Sequence, residues 1–453
     1  MILIKNALIV PFYQEMEVID NLHYDILIHE ERIVMIEKKL DLDIAIKALG
    51  LEEAAPFIET INAAGALVAP GFVDIHVHFR DPGYTDKEDI ESGVRTAARG
   101  GYTSVVMMAN TNPCPDNTKD LADIVMRGQK ADINVYTCAN VTIGGKGREI
   151  VDMEALAIAG AVGFSDDGMP LLDEVLVREV FQRAAQLGIP VALHEEDPAY
   201  IEKDENGINS GWISSKLGIK GSKREAEITM VERDLRIAEE TGATVIFQHL
   251  STAEAVELIR QAKKTNDRIF AEVTPHHFSL TEEAILSKGT MAKMNPPLRT
   301  EKDRLAIIAG LADGTIDIIA TDHAPHTAAD KAKPLLEAPS GIIGLETALS
   351  LVMRELVMPG HLSLTDLVYK MSVNPAKAFK LAAGEVKVGM TADLVIFNPT
   401  ATRKIGKFYS KSANSPFVGE TMPGLVRYTI AKGKIVYARN KKHKPKGEIP
   451  PPL

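Results

Sequence analysis

The sequence predicts an α/β fold, in which a (β/α)8 barrel is combined with a small β domain built from both chain ends. The length of 453 residues suits one such barrel and a satellite domain. Short apolar runs alternate with helical stretches in the middle of the chain, a pattern typical of parallel α/β structure. The two ends consist instead of short β-like runs separated by turn residues.

The barrel is predicted from eight apolar runs, the number of strands that closes such a barrel. The stretch 224–240 supports the intervening helices, because it is apolar at helical spacing and Gly242 follows it, as is common at the end of a helix. The eight runs are 71–78, 102–108, 133–139, 161–165, 190–194, 243–249, 269–274 and 316–321.

The small domain is predicted to consist of residues 1–69 and 384–453, and the barrel of residues 70–383. A hairpin near the C-terminus is expected to turn at Lys432 and Gly433. The basic, proline-rich tail from residue 440 is expected to be extended or poorly ordered. The predicted strands of this domain are 2–10, 24–29, 32–36, 66–68 and 392–397, with the hairpin at 426–437.

The composition narrows the class of protein. The chain is 45% apolar and 25% charged, as in typical globular proteins, and no apolar run reaches the roughly 20 residues of a membrane span. We expect a cytoplasmic protein without a membrane partner. The net charge of −11 provides no basic face for nucleic acid and would repel an anionic substrate at long range. Cys114 and Cys138 are too few for a disulfide framework and are expected to be buried.

A His-x-His pair ends the first apolar run, in the sequence Asp74-Ile-His76-Val-His78. The two-residue period of a strand places His76 and His78 on the same side of the sheet, where two imidazoles can bind one metal ion. If the motif stood alone, the alternative to a metal site would be a polar pair of histidines on an exposed strand.

Further metal-ligating side chains follow the ends of other predicted strands. The C-terminal ends of barrel strands meet at one mouth, so we expect these groups to converge there. A set of four histidines and two carboxylates can be drawn from these groups and the His76 and His78 pair. Such a set, without a thiolate, suits Zn²⁺ or a similar divalent ion, and six ligands suit two ions. Such a centre favours amide or ester hydrolysis, because the metal lowers the pKa of water and polarises a carbonyl. The groups are Asp166-Asp167, His194, His249, His276-His277 and Asp322-His323.

The chain resembles the cyclic amidohydrolases, and among them the class I dihydroorotases. The resemblance covers nearly the whole chain and implies a distorted TIM barrel that carries the metal site, with a β-sandwich formed by both chain ends. It implies the reversible hydrolysis of dihydroorotate to N-carbamoyl-aspartate in pyrimidine (UMP) biosynthesis. The most specific blocks are Gly71-Phe-Val-Asp-Ile-His-Val-His-Phe-Arg-Asp-Pro-Gly83, Phe164-Ser-Asp-Asp-Gly168, Lys293-Met-Asn-Pro-Pro-Leu-Arg299 and Ala320-Thr-Asp-His-Ala-Pro-His326.

The resemblance implies two Zn²⁺ ions per chain, one bound by His76, His78 and Asp322 and the other by His194 and His249. Asp167 would bridge them, where many relatives have a carbamylated lysine. Asp322 would also be the general base towards the attacking hydroxide and then the general acid towards the leaving ring nitrogen. A purely structural role as a ligand is the alternative for Asp322.

The same resemblance implies a set of substrate contacts. The planar guanidinium of Arg80 can hold a carboxylate through two hydrogen bonds, although a surface salt bridge is the commoner role of an arginine. For Asn110 and Asn295, turn formation is the alternative. His276 and His277 are expected to line the mouth and orient other residues. The implied substrate contacts are His78, Arg80, Asn110, Asn295, His326, Ser340 and Gly341.

Two departures from the family pattern concern the substrate pocket. Ser340 stands in Pro339-Ser-Gly341 where many class I enzymes have phenylalanine, so an aromatic wall is absent. Glu195 stands where a cysteine is common. The lysine-rich segment 327–339 is expected to be either a lid over the mouth or an ordinary connection.

Two other functions compete with this interpretation. An allantoinase- or hydantoinase-type cyclic amidase predicts a lysine at the bridging position and no arginine after the His pair. A catalytically silent structural partner of a carbamoyltransferase predicts lost metal ligands, whereas all six are present here. The resemblance also allows a homo-oligomer and an aspartate carbamoyltransferase as partners, besides the small-molecule substrate.

Overall fold

A computed structural model describes residues 1–10, 23–52, 57–202 and 205–439 of the chain. The tail predicted from residue 440 lies outside the described residues. The described strands form two large sheets and a two-stranded ribbon. In chain order they are β1 Ile2–Ile9, β2 Tyr24–His29, β3 Arg32–Glu37, β4 Glu59–Asn62, β5 Leu67–Pro70, β6 Phe72–Val77, β7 Tyr102–Met107, β8 Asn134–Ala139, β9 Gly163–Phe164, β10 Val191–Leu193, β11 Val245–Phe247, β12 Ile269–Val273, β13 Ile318–Ile319, β14 Leu394–Asn398, β15 Arg403–Lys404, β16 Thr421–Met422, β17 Leu425–Ala431 and β18 Lys434–Ala438.

The barrel sheet consists of β6 to β13, parallel and in chain order. Each of the eight predicted runs contains one of these strands. Between the first and last strands, Val77 bridges His323, and the His78 N–H donates to the His323 carbonyl at 2.9 Å. This bridge nearly closes the sheet, so the predicted fold class is confirmed.

The second sheet joins the two ends of the chain. Its strand order is β18-β17-β14-β5-β1-β2-β3, with β4 parallel to β1. The antiparallel pairing of β14 with β5 is the seam between the C-terminal and N-terminal parts. The hairpin of β17 and β18 turns at Lys432 and Gly433, as the sequence predicts.

Helices lie between the barrel strands, as expected for parallel strands that need crossover connections. The helix predicted at 224–240 is confirmed as α7, and Gly242 ends it in the left-handed conformation at φ 70°. The described helices are α1 Leu42–Ala48, α2 Ile90–Gly100, α3 Thr118–Gln129, α4 Met153–Ile158, α5 Glu174–Leu187, α6 Trp212–Leu217, α7 Glu225–Thr241, α8 Ala253–Ala262, α9 Pro275–Ser279, α10 Ala284–Lys288, α11 Glu301–Ala312, α12 Ala328–Lys331, α13 Ala348–Val352, α14 Leu364–Val368 and α15 Asn374–Ala378.

Two details differ from the sequence-based expectation. The N-terminal part contains α1, a helix that the sequence analysis did not predict. The Asp41 side chain caps this helix by accepting hydrogen bonds from the Asp43 and Ile44 N–H groups. Ala45 on the helix packs in one cluster with Leu3 of β1. Cys138 is buried as expected, whereas Cys114 is only half-buried.

The barrel interior is a packed core beneath the mouth. Apolar side chains from several strands contact one another there, among them Val73, Val106 and Ile246, and Phe379 after α15 packs against the same cluster. The interior is therefore filled by side chains, as in other small barrels.

Glu227 on α7 fixes the loop that follows β11. Its buried carboxylate accepts hydrogen bonds from the backbone N–H and hydroxyl groups of Ser251 and Thr252. We expect Glu227→Ala to lower the free energy of unfolding by about 3 kcal/mol, because it leaves four buried donors without an acceptor. Denaturant unfolding measures this, with the exposed Glu232→Ala on the same helix as the control. Equal stability of the two variants would contradict the prediction.

Candidate metal centre

All six predicted ligands lie at the C-terminal ends of barrel strands. His76 belongs to β6 and His78 follows it, while Asp167, His194, His249 and Asp322 follow β9, β10, β11 and β13. All six side chains are buried. The six residues are far apart in the sequence, but the structure brings them together at one mouth of the barrel.

Asp167 lies at the centre of this cluster. Its carboxylate oxygens are 3.5 Å from His76 Nε2 and 3.5 Å from His78 Nε2. They are also 3.7 Å from His194 Nδ1 and 3.9 Å from His249 Nε2. One carboxylate is thus within 4 Å of all four imidazoles, the position required of a bridging ligand.

Asp322 contacts only part of the cluster. Its Oδ1 lies 2.9 Å from His78 Nε2 and 3.6 Å from His76 Nε2. Two sets of ligand atoms are close enough to hold an ion each, His76 with His78 and Asp322, and His76 with Asp167 and His249. The first set is the predicted one, whereas the second contains His76 in place of His194.

The electrostatics of the cluster favour a cation at its centre. Burial opposes the charged form of Asp167, but attraction to the His76 and His194 imidazoles holds its pKa well below the usual range. Burial also opposes the charging of His194, yet the nearby carboxylates of Asp167 and Glu196 raise its pKa to about 10. The carboxylates therefore stabilise positive charge among the imidazoles.

The residues fit a divalent metal. His76 Nε2 and Asp167 Oδ1, which lie 3.5 Å apart, are buried without a hydrogen-bond partner in the described part of the chain. Such unpaired buried atoms are costly unless another group satisfies them. Imidazole nitrogens and carboxylate oxygens without a thiolate are ligands that Zn²⁺ accepts.

Two carboxylates beside the ligands were missed by the sequence reasoning. Glu272 on β12 is buried, and its Oε1 is 2.6 Å from His76 Nδ1 and accepts from the His249 N–H. Glu196 Oε2 is 3.3 Å from His194 Nε2. An acidic residue inside an apolar strand, in Phe270-Ala-Glu-Val273, was the signal for Glu272. Such carboxylates fix the orientation of ligand imidazoles.

The backbone is locally strained at this mouth. Arg80, His249 and Asp322 have φ angles of 60°, 32° and 46°, which non-glycine residues rarely adopt. The pairing of β6 with β7 is also irregular between Asp74 and Val77. The regular two-residue alternation assumed from the sequence therefore does not hold along all of β6, although both histidines face the same centre. Bulges and strain of this kind occur at sites that must aim a side chain.

The first two predicted substrate contacts border the ligands. The Arg80 side chain is half-buried, its Nε has no hydrogen-bond partner and it forms no ion pair within the described ranges. Asn110 Oδ1 is 2.9 Å from His78 Nδ1, and its amide donates to Asp167 at 3.3 Å. Arg80 is thus a cation without a direct ion-pair partner in the described ranges, although the carboxylates of Asp322 and Asp167 attract it. Asn110, by contrast, already orients two of the candidate ligands.

Asn295 and His326 have protein partners. The Asn295 amide donates to Glu196 Oε2 at 2.7 Å and is 3.2 Å from His194 Nε2. His326 Nε2 donates to the Ser340 carbonyl at 2.8 Å, and its Nδ1 is 3.4 Å from Lys87 Nζ. These bonds hold both residues at the mouth.

The segment 327–339, for which a lid is one of the two hypotheses, is held by two buried lysines, Lys331 within the segment and Lys293 outside it. Lys331 donates to the Pro339 carbonyl at 2.8 Å. Lys293 donates to the carbonyls of Leu336 and Ala338, both at 2.9 Å, and its own carbonyl accepts from the Gly341 N–H. These bonds favour the alternative of a fixed connection that positions Ser340 and Gly341.

His276 and His277 lie outside the ligand cluster. His277 Nδ1 is 2.7 Å from Thr274 Oγ1, and its Nε2 donates to the Pro296 carbonyl at 3.0 Å. Burial lowers the pKa of His277 to about 4, so this imidazole is neutral at pH 7. The ring thereby positions the segment that carries Asn295.

Comparison with known proteins identifies the family. The model of the amidohydrolase family matches residues 67–436. This chain belongs to the amidohydrolase family. Within it, the chain is 48% identical over 438 residues to a dihydroorotase of Clostridioides difficile strain 630, covering 96% of this chain and 100% of that protein. A dihydroorotase of Lactococcus lactis strain IL1403 is 46% identical and covers 96% of this chain and 99% of its own length.

Solved amidohydrolase structures share the fold. L-hydantoinase (dihydropyrimidinase) from Arthrobacter aurescens has a TM-score of 0.83 at 25% identity, covering 97% of this chain and 96% of that chain. A dihydropyrimidinase from Brevibacillus agri has a TM-score of 0.80 at 22% identity, covering 96% and 95%. The resemblance stated from the sequence motifs is confirmed. Among the described residues, no helix has the length and apolar character to cross a membrane.

Proposed function

We propose that this chain is a dihydroorotase, which catalyses the reversible hydrolysis of dihydroorotate to N-carbamoyl-aspartate in pyrimidine (UMP) biosynthesis. The observation that carries the proposal is the identity of 44 to 48% with several dihydroorotases over 96% of the chain. The site agrees with it, because a guanidinium without a direct ion-pair partner, beside a cluster of metal-ligating side chains, suits a substrate that has both a carboxylate and a cyclic amide.

We further propose that the centre holds two Zn²⁺ ions, with His76, His78 and Asp322 on one and His194 and His249 on the other. Asp167, within 4 Å of the four imidazoles, would bridge the ions. Divalent ions in such a centre would lower the pKa of a water molecule towards neutrality and polarise a carbonyl group.

Asp322 is the proposed proton carrier. It is a carboxylate at the edge of the cluster, and its side chain is 11% exposed towards the mouth. A carboxylate in this position can accept a proton from the attacking water and return it to the leaving ring nitrogen. His78, 2.9 Å from Asp322 Oδ1, orients that carboxylate.

The remaining proposed contacts recognise the substrate. Arg80 would bind the substrate carboxylate through two charge-assisted hydrogen bonds, which offsets the long-range repulsion from a chain of net charge −11. Asn110, Asn295 and His326 surround the same mouth and present amide or imidazole groups. His78 would complete the contacts, together with Ser340 and Gly341, which directly follow the segment 327–339.

A side-by-side assay on dihydroorotate, allantoin, hydantoin and dihydrouracil, with metal analysis of the same sample, tests the function. We expect turnover of dihydroorotate with bound zinc. Turnover of allantoin or hydantoin without turnover of dihydroorotate would favour the other cyclic amidases. A metal-free protein inactive on every substrate would favour the structural partner of a carbamoyltransferase.

Replacement of Arg80 tests the substrate contact. We expect Arg80→Ala to raise KM for dihydroorotate by roughly 30-fold to 100-fold, because a charge-assisted pair contributes about 2–3 kcal/mol. Arg183→Ala is the control, since Arg183 is exposed and pairs with Glu179. An unchanged KM for dihydroorotate in Arg80→Ala would show that this arginine does not bind the carboxylate.

The partners and location are also proposals. We propose a cytoplasmic enzyme, as the composition indicates, that binds neither nucleic acid nor membrane. A homo-oligomer and a complex with an aspartate carbamoyltransferase are the two assemblies to test, by light scattering of the purified chain alone and of the chain mixed with that enzyme.

A further inference from the structure

The His326 imidazole is held by the protein at both of its ring nitrogens. His326 follows β13, and its Nε2 lies 2.8 Å from the Ser340 carbonyl oxygen. A carbonyl oxygen only accepts, so Nε2 carries the proton and donates it. Nδ1 lies 3.4 Å from Lys87 Nζ, and an ammonium group only donates. In a neutral ring Nδ1 is therefore the acceptor, and the two contacts together fit one tautomer.

This imidazole is neutral at pH 7. Burial and the nearby positive charges of Arg80 and Lys87 lower the pKa of His326 to about 2. A neutral imidazole that donates from one nitrogen and accepts at the other has no N–H left for a substrate. His326 would therefore affect substrate binding through the groups that it holds in place.

The main chain at His326 is fixed by Asn414, a buried residue between β15 and β16. The His326 N–H donates to Asn414 Oδ1 at 3.1 Å. The Asn414 amide in turn donates to the carbonyls of Ala324 at 3.0 Å and Gly341 at 3.1 Å. The backbone after β13 is thus bound to Gly341, while the free side of the imidazole is left to Lys87.

Lys87 connects two loops of the mouth. It lies between β6 and α2, in the loop that also carries Arg80, and its side chain is 23% exposed. Its carbonyl accepts from the Ser412 hydroxyl at 2.8 Å, which anchors the main chain. Its ammonium group contacts His326 and also pairs with Asp330 on α12 at 3.4 Å. The loop after β6 is thereby joined to the loop after β13.

The contacts of Lys87 and His326 lead to two of the proposed substrate contacts. His326 holds the Ser340 carbonyl, and Ser340 Oγ is buried without a hydrogen-bond partner among the described residues. Such a hydroxyl can be satisfied by a substrate group. A Cβ atom built on Gly341 would lie 3.2 Å from His326 Nε2, so this glycine packs against the ring. The positions of both residues therefore depend on the orientation of the imidazole.

We propose that Lys87 is a positioning residue for substrate binding, which acts through His326 to fix Ser340 and Gly341 at the mouth. This inference rests on the proposed function, since dihydroorotate is taken as the substrate. Lys87 affects affinity and not the chemical step, because its side chain contacts His326, Asp330 and the Tyr84 ring and no candidate metal ligand in the described ranges.

Steady-state kinetics of the metal-loaded protein on dihydroorotate test this role. We expect Lys87→Met to raise KM by about tenfold and to leave kcat within about twofold, because it removes one hydrogen bond from a charged donor to the ring. Lys87→Arg keeps a charged donor and is expected to raise KM by less than about threefold. Circular dichroism checks that each variant is folded.

Lys333→Met is the matched control. Lys333 pairs with the same Asp330 carboxylate at 3.2 Å, but its side chain is 49% exposed. The control thus removes an equal charge from the same carboxylate without removing the contact to His326. Equal KM values in Lys87→Met and Lys333→Met, or a fall in kcat at unchanged KM in Lys87→Met, would overturn the proposal.

A double-mutant cycle separates an action through the imidazole from a general effect on the fold. The KM of the Lys87→Met, His326→Gln double variant should lie within about twofold of that of His326→Gln alone, since no imidazole remains for Lys87 to hold. If the two effects on KM multiply instead, Lys87 does not act through His326 and the assignment is wrong.

The ¹⁵N resonances of the imidazole provide a readout that is independent of activity. In metal-loaded protein labelled at histidine, the signals that His326→Gln removes belong to His326. The Nδ1 resonance should shift in Lys87→Met, where this nitrogen loses its donor, and stay in place in Lys333→Met. An unshifted resonance in Lys87→Met would refute the contact. A shifted resonance in a protein that does not turn over dihydroorotate would refute the proposed function alone.

Discussion

Removal of metal is expected to lower the turnover of dihydroorotate by at least about 100-fold, with recovery when Zn²⁺ is added. The reason is the donor set at the mouth, where four buried imidazoles surround Asp167 and leave unpaired nitrogen and oxygen atoms. Without a cation these groups can arrange a substrate but cannot provide hydroxide near neutral pH. The measurement is turnover before chelation, after chelation and after addition of metal, with elemental analysis at each stage.

Two further readouts make this experiment decisive. Metal loading should raise the melting temperature, because a ligand that binds only the folded state stabilises it. The same chelator should leave the melting temperature of a His76→Ala, His249→Ala double variant unchanged, since both close ligand sets include at least one of these residues. Full turnover in a sample free of metal would refute the proposed chemistry.

Replacement of the proposed proton carrier has the second largest expected effect. We expect Asp322→Asn to lower kcat by about 10²-fold to 10⁴-fold, because the amide can still contact a cation but cannot take up a proton. The measurement is kcat together with metal content. The control is Asp132→Asn, which changes an exposed carboxylate away from the mouth.

The pH profile separates the two roles considered for Asp322. If it carries the proton, Asp322→Asn removes an ionisation from the dependence of kcat on pH while metal remains bound. If it is only a ligand, the variant loses metal and the remaining activity keeps the original profile. Retention of more than about a tenth of kcat with full metal content would contradict the assignment.

The motifs and the matched relatives show the family to which this chain belongs. The fold alone does not identify the substrate. Hydantoinase and dihydropyrimidinase structures share the architecture with TM-scores of 0.80 and above. The choice of dihydroorotate depends on the relatives of higher identity and, at the site, on Asp167 and Arg80. This is why the assay must compare several cyclic amides.

The barrel was predictable from the sequence because its signals are local. A buried parallel strand is a short apolar run, and a ligand at its end is adjacent to that run in the sequence. The same adjacency marked His194 after β10 and His249 after β11. Local signals also located the hairpin turn at Lys432 and Gly433 and the end of α7 at Gly242.

Partners far apart in the chain were not predictable, because no local pattern records them. His76 and Glu272 are 196 residues apart yet lie 2.6 Å from each other. Arg403 and Glu346 contact each other across the seam between the two parts of the molecule.

The sequence by itself thus determined the fold class, the positions of the eight barrel strands and the candidate ligands that follow them, since period and position along the chain are sufficient for these. Only the tertiary structure decided which imidazoles share Asp167, which carboxylates orient them and that Arg80 has no direct ion-pair partner at the mouth. Those outcomes depend on distances between side chains brought together by folding, and distance in space is not a function of distance along the chain.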